Sequence, residues 1–200
     1  MKKFVENKIP QNGLLYNDFV DLIKNKIEQT DSNSLDADEK HLFDYTKLNY
    51  QRMLRIDKTY KVPFEIENLI KKIDSYQLWM VLTEDWCGDS AQNLPYFNKY
   101  AALNINIDLR ILERDKNLEI MDEYLTNGKS RSIPKIVAFN KNGEELFIWG
   151  PRPKEAEDLL NKLKAEGLQK DEYVEKLHLW YGRNRGKALE SEFIEILKTF

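Results

Sequence analysis

Two hundred residues, 42% of them hydrophobic, suffice for one medium domain with a buried core, and the 32% that are charged give it extensive solvated surface. A balance of 31 basic against 34 acidic residues leaves a formal net charge of −3, which excludes a global field favouring nucleic acid or an anionic membrane. No apolar run approaches the roughly 20 residues of a membrane-spanning helix. The single cysteine, Cys87, excludes an internal disulfide and a cysteine-rich metal cage.

Met1–Asn7 reaches Glu6 and Asn7 before any signal-like apolar stretch, so no secretion signal is expected and a reducing cytoplasm is the default compartment. From about Asn17 to Ser75 the chain reads as helices. Val20, Ile23 and Ile27 form one apolar stripe, and Thr30 to Asp36 is a polar loop. A second helix is predicted from about Asp38 to Asp57. Pro63 opens a third, with Ile66, Leu69, Ile70 and Ile73 on its apolar face.

The middle of the chain alternates. Leu78–Thr83 suits a buried strand, Ser90–Tyr100 a helix carrying Pro95, and Ile105–Leu112 a half-buried strand. Leu118–Leu125 reads as a short helix. Ile136–Phe139 and Leu146–Trp149 flank Asn142-Gly143, a strong hairpin signal. This order predicts an α/β fold with a central mixed β-sheet flanked by helices. Gly150-Pro151-Arg152-Pro153 reads as a strand-to-helix turn, the alternative being a rigid rim beside the Cys87 site. Beyond it Ala156, Leu159, Leu160 and Leu163 mark one helix, and two more are expected around Tyr173–Trp180 and Leu189–Leu197.

Cys87 lies in Trp86-Cys87-Gly88-Asp89-Ser90, between the first strand and the helix that follows. Backbone N–H groups and the helix dipole at such a position favour a thiolate, whereas Glu84, Asp85 and Asp89 oppose one.

The segment from about Glu65 to Gly167 resembles the thioredoxin family. The likeness rests on Trp86-Cys87-Gly88 after a buried strand, Pro95 eight residues beyond Cys87, Ile133-Pro134 before a strand at the place of the family's cis-proline, the Asn142-Gly143 hairpin, and Gly150 before the last core helix. It implies a thioredoxin-like fold over 65–167, with helical extensions at 1–64 and 168–200, the latter packed on the core. It also departs from the family. Ser90 stands where the second cysteine of a C-x-x-C site would be, and Val81 stands where thioredoxins carry a buried acid.

What the resemblance implies is monothiol thiol–disulfide exchange. Cys87 would be the catalytic nucleophile, and an external thiol would resolve the mixed disulfide because Ser90 cannot. Trp86, Gly88, Asp89, Ser90, Ile133 and Pro134 are the expected substrate-binding residues. Ser90 would donate to the thiolate, and the backbone of Ile133 would pair with an extended substrate. The expected partner is a protein disulfide or a low-molecular-weight thiol, with no nucleic acid and no membrane; the oligomeric state stays open. Exchange through an activated thiol predicts a Cys87 more reactive at neutral pH than a free thiol.

Arg52 and Arg55, on the second helix, are candidates for neutralising the acidic flank and lowering the thiol pKa, the alternative being surface ion pairs. His41 and His178 lie far apart in sequence with no second ligand at a typical spacing, so neither a metal site nor a cofactor is expected. Two other readings stay open. Cys-Gly-x-Ser also looks like the site of monothiol glutaredoxins, which use glutathione and can carry an iron–sulfur cluster, although Trp86 and Pro95 are thioredoxin features. Alternatively, the fold is a non-catalytic scaffold whose helical additions bind a partner.

Overall fold

The computed structural model describes Pro10 and residues 12–199, so Met1–Asn7, where no secretion signal is expected, lies outside the described residues. Three helices come first: α1 (Tyr16–Gln29), α2 (Ala37–Thr59) and α3 (Phe64–Lys71). Asp36 and Glu39 start α2 with a reciprocal capping box, each side chain accepting from the other's backbone N–H at 2.9 and 3.1 Å. The loop expected at Thr30–Asp36 separates α1 from α2.

The sheet has the order β2-β1-β3-β4, from β1 (Gln77–Thr83), β2 (Ile107–Glu113), β3 (Lys135–Asn140) and β4 (Glu145–Trp149). β1 runs parallel to β2 and antiparallel to β3, so the sheet is mixed. Every residue of β1 is buried, which its run of Leu78-Trp79-Met80-Val81-Leu82 permits on both faces. Ile105, expected to open β2, is instead fully exposed. The chain there is held in a turn by Asn104, whose Nδ2 donates to the carbonyls of Ile70 and Ile73 at 2.7 and 2.8 Å. The hairpin between β3 and β4 turns at Asn142-Gly143, with Gly143 N bonding back to Asn140 O at 2.9 Å.

Alternation along β1 sorts the core into two faces. Trp79 and Val81 join one cluster with Leu94 and Phe97 of α4 (Gly88–Ala101). Leu78, Met80 and Leu82 join a second with Met121, Ile133 and Cys87. Met121 ends the short helix α5 (Leu118–Met121). The N-terminal helices are part of the first cluster, which includes Phe19 and Ile23 of α1 and Met53 and Ile56 of α2. After α6 (Lys154–Ala165) and α7 (Lys170–Asn184), α8 (Lys187–Leu197) drives Phe193 between Trp79, Phe97 and Trp149, with ring centroids 6.1, 5.1 and 6.0 Å away. An aromatic cluster of this size buries several hundred Å² of apolar surface, which ties α8 to the sheet. No helix among the described residues is long and apolar enough to cross a membrane.

Candidate active site at Cys87

Cys87 is the N-cap of α4, in extended backbone before the first helical turn. Its side chain is buried, and Sγ donates to Ile133 O at 3.3 Å. The Ile133-Pro134 peptide is cis. Ile133 and Pro134 therefore stand beside the thiol, and the Ile133 carbonyl is already engaged with Sγ. Val81 is fully buried among apolar neighbours, so no carboxylate lies there to relay a proton.

Burial pushes the Cys87 thiol up to about 11, and the charge of Asp89 adds to the rise. The side chain and amide of Ser90 and the amide of Asp89 pull it down, but by less. Ser90 Oγ is buried without a hydrogen-bond partner while the thiol stays protonated. The thiolate expected from the helix terminus is thus outweighed by desolvation.

The acidic flank is tied down residue by residue, and not by the arginines expected from the sequence. Asp85 takes Lys26 Nζ at 2.6 Å and Thr46 Oγ1 at 3.1 Å, while its carbonyl accepts from Asn49 Nδ2. Glu84 accepts from the backbone N–H of Asp115 at 2.7 Å. Asp89 receives Arg152 through Nε and Nη2 at 3.1 and 2.6 Å, and the Tyr181 hydroxyl at 2.6 Å. Arg152 is therefore the cation of the motif, and the turn that carries it is a wall of the site.

Arg52 is half-buried and donates through Nη1 to Asn49 Oδ1 at 2.9 Å and to His178 Nε2 at 3.2 Å. Burial, then the charge of Arg55, pulls it down to about 10. Arg55 does not reach the thiol at all; it lines a separate cavity with Tyr96 and Tyr181. Trp86 is half-buried, its ring 5.1 Å from the Arg114 guanidinium carbon.

His178 is the residue that sequence reasoning set aside. Burial, then the charge of Arg52, pulls it down to about 3, so it is neutral, and its ring lies directly over Gly88. The legible signal was the spacing of Val174, Leu177, His178 and Tyr181, at i, i+3, i+4 and i+7. This stripe is the face that α7 lays over the motif. A Cβ on Gly88 would fall 2.6 Å from two ring atoms of His178. Gly88→Ala should therefore displace the ring, break its contact with Arg52, cost about 1–2 kcal/mol, and speed alkylation of Cys87 several-fold. A thiol labelled at the unchanged rate would show that α7 does not cover it.

Together these elements enclose a cleft of about 300 Å³ beside the thiol. Its walls are Leu42 and Tyr45 of α2, the Trp86–Asp89 turn, Arg152, and Leu160 with Lys164 of α6. Tyr173, Leu177 and His178 of α7 close it, and Lys170 stands at the start of that helix. Among the described residues no three His, Cys, Asp or Glu side chains converge as a metal site would require.

A family model described as Thioredoxin matches residues 36–164. Among solved structures, a protein of unknown function from Pseudomonas aeruginosa aligns with a TM-score of 0.57 at 17% identity, covering 82% of this chain and 98% of its own. An HIV epitope-scaffold aligns with a TM-score of 0.53 at 15% identity, covering 94% and 99%. At these identities the likenesses show fold alone. No curated protein matches the chain significantly.

Proposed function

The chain belongs to the thioredoxin family, and from that premise we propose that Cys87 carries out monothiol exchange with a disulfide small enough to enter the cleft beside it. The observation that supports this is the position of Sγ, at the first turn of α4, 3.3 Å from Ile133 O and on the wall of a 300 Å³ cleft. The Cys87 thiol gives its sulfur to one half of a disulfide R–S–S–R′. Cys87–S–S–R forms, the R–S–S–R′ bond breaks, and the thiol proton leaves on R′–SH. A second, external thiol R″–SH then attacks the mixed disulfide, releases R–S–S–R″ and returns the proton to Cys87. Ser90 takes no covalent part. The walls contributed by α2, α6 and α7 favour a low-molecular-weight disulfide over an extended polypeptide, and the engagement of Ile133 O with the thiol supports the same choice.

The raised thiol reverses the neutral-pH reactivity expected from the sequence. With a pKa near 11, about one thiol in 10⁴ is ionised at pH 7, against about 3% for a free cysteine. The greater nucleophilicity of a more basic thiolate recovers about tenfold. Cys87 should therefore alkylate about 10- to 100-fold more slowly than a free thiol at pH 7, with a rate that climbs until about pH 11. Seating a disulfide in the cleft offsets this by proximity, which supplies factors well above 10² when the geometry is right.

Intact-mass analysis after incubation with glutathione disulfide tests the reading. One adduct on Cys87, reversed by free glutathione and absent in Cys87→Ser, is the expected result. A second reading is favoured by the protonated, buried thiol itself: a binding protein in which Cys87 is an apolar wall of the cleft. An unmodified Cys87 even at pH 10, in a protein whose fold is intact, would select that reading and end the first.

A further inference from the structure

A second cavity, of about 570 Å³, lies where the end of α2, the middle of α4 and the corner between α7 and α8 meet. Arg55, Lys61, Arg185 and Lys187 line it. All four are exposed, and none makes an ion pair with a described residue. Elsewhere Lys26, Lys71, Arg131 and Lys154 each hold a carboxylate. The one carboxylate lining the cavity, Glu190, leaves the four cations in excess there. Tyr96 forms a wall, and burial followed by the charge of Glu190 pushes its hydroxyl up to about 12, so it stays a neutral donor.

Four cations brought to one cavity from separate stretches of chain repel one another, and a bound anion relieves that repulsion. Arg55 and Lys61 come from one stretch of chain, Arg185 and Lys187 from another. A phosphate offers three or four acceptor oxygens to such a set, whereas a carboxylate offers two. The volume is far larger than one inorganic phosphate fills and falls in the range of small-molecule sites.

We propose that this cavity binds a small phosphorylated molecule, with its phosphate oxygens on Arg55, Lys61, Arg185 and Lys187 and its organic part against Tyr96. The site is independent of the thiol chemistry, since none of the four cations lines the Cys87 cleft.

Isothermal titration calorimetry of the full chain with sodium pyrophosphate and with ADP tests it. Both should bind one-to-one and saturably, ADP the tighter, with affinity falling as salt rises. The Arg185→Gln, Lys187→Gln double variant should lose at least tenfold in affinity. Lys61→Gln alone should lose severalfold, which keeps the test decisive if the double variant melts early. Cys87→Ser should bind both probes normally. Absence of saturable heat into the millimolar range would overturn the proposal. So would affinity that survives these substitutions, or citrate binding as tightly as pyrophosphate.

Discussion

Gly150→Ala should destabilise the protein by about 3–5 kcal/mol, the sum of a disfavoured backbone conformation and an unrelieved overlap. Gly150 has φ +121°, which an L side chain rarely adopts, and a Cβ there would fall 2.1 Å from the carbonyl oxygen of Pro134. The obstacle is backbone, not the tip of a flexible side chain. Pro134 cannot retreat cheaply. It is buried between Ile133, whose carbonyl holds the Cys87 thiol, and Lys135, the first residue of the central strand β3. In a chain of this size the loss corresponds to a fall in Tm of about 6–20 °C. Thermal melting by circular dichroism reads it directly. Gly182→Ala is the control, since nothing lies within 4 Å of a Cβ built there and the site is helical; it should be neutral or stabilising by up to about 1 kcal/mol. A loss under 1 kcal/mol at Gly150 would mean that the close passage over Pro134 is not a fixed part of the fold.

Asp89→Asn should cost about 3 kcal/mol, or about 6–12 °C in Tm, and should also make Cys87 more reactive. The carboxylate and the Arg152 guanidinium are both nearly buried, at 11% and 16% side-chain exposure. The amide keeps the shape but removes the charge, leaving Arg152 with only the more exposed Glu157. Tyr181 keeps an acceptor in the asparagine oxygen, so the ion pair is the main loss. The effect on the thiol has a definite sign. Asp89 raises the Cys87 pKa by repulsion, and its removal also leaves a less compensated cation nearby, so the thiol pKa falls. Alkylation at pH 8 should accelerate several-fold. A variant that melts early yet labels at the original rate would show that the thiol does not sense Asp89, and would leave desolvation as the whole cause of its high pKa.

What the sequence made legible was local. The apolar run of β1, the helix that follows Cys87 and the Asn142-Gly143 hairpin follow from short-range patterns, while the approach of Ile133-Pro134 to the thiol, 46 residues away, was implied only by the resemblance to the thioredoxin family. What it left hidden was set by contacts across long stretches of chain. Lys26 neutralises Asp85, and Arg152 neutralises Asp89, from 59 and 63 residues away. Arg52 and Arg55 were the nearer guess by charge alone, but α2 turns its Thr46 and Asn49 toward Asp85 and leaves Arg55 facing another cavity. His178 is 126 residues from Arg52, its partner. No spacing within either helix could announce that pair. The thiol pKa was undecidable for the same reason, because it depends on how completely distant helices dry the first turn of α4.

The cover that α7 places over Cys87 has a consequence for biosynthesis. The chain between Cys87 and Lys170, the first residue of α7, takes about 4–17 s to synthesise at ordinary elongation rates of about 5–20 residues per second. α7 cannot form during that interval. Each nascent chain therefore passes through a period in which its one thiol lacks the cover of α7, and is more hydrated than in the finished molecule and correspondingly easier to ionise. With no second cysteine to close an internal bridge, any oxidation in that window joins the thiol to another molecule, and the finished roof would then have to accommodate the adduct or stay open.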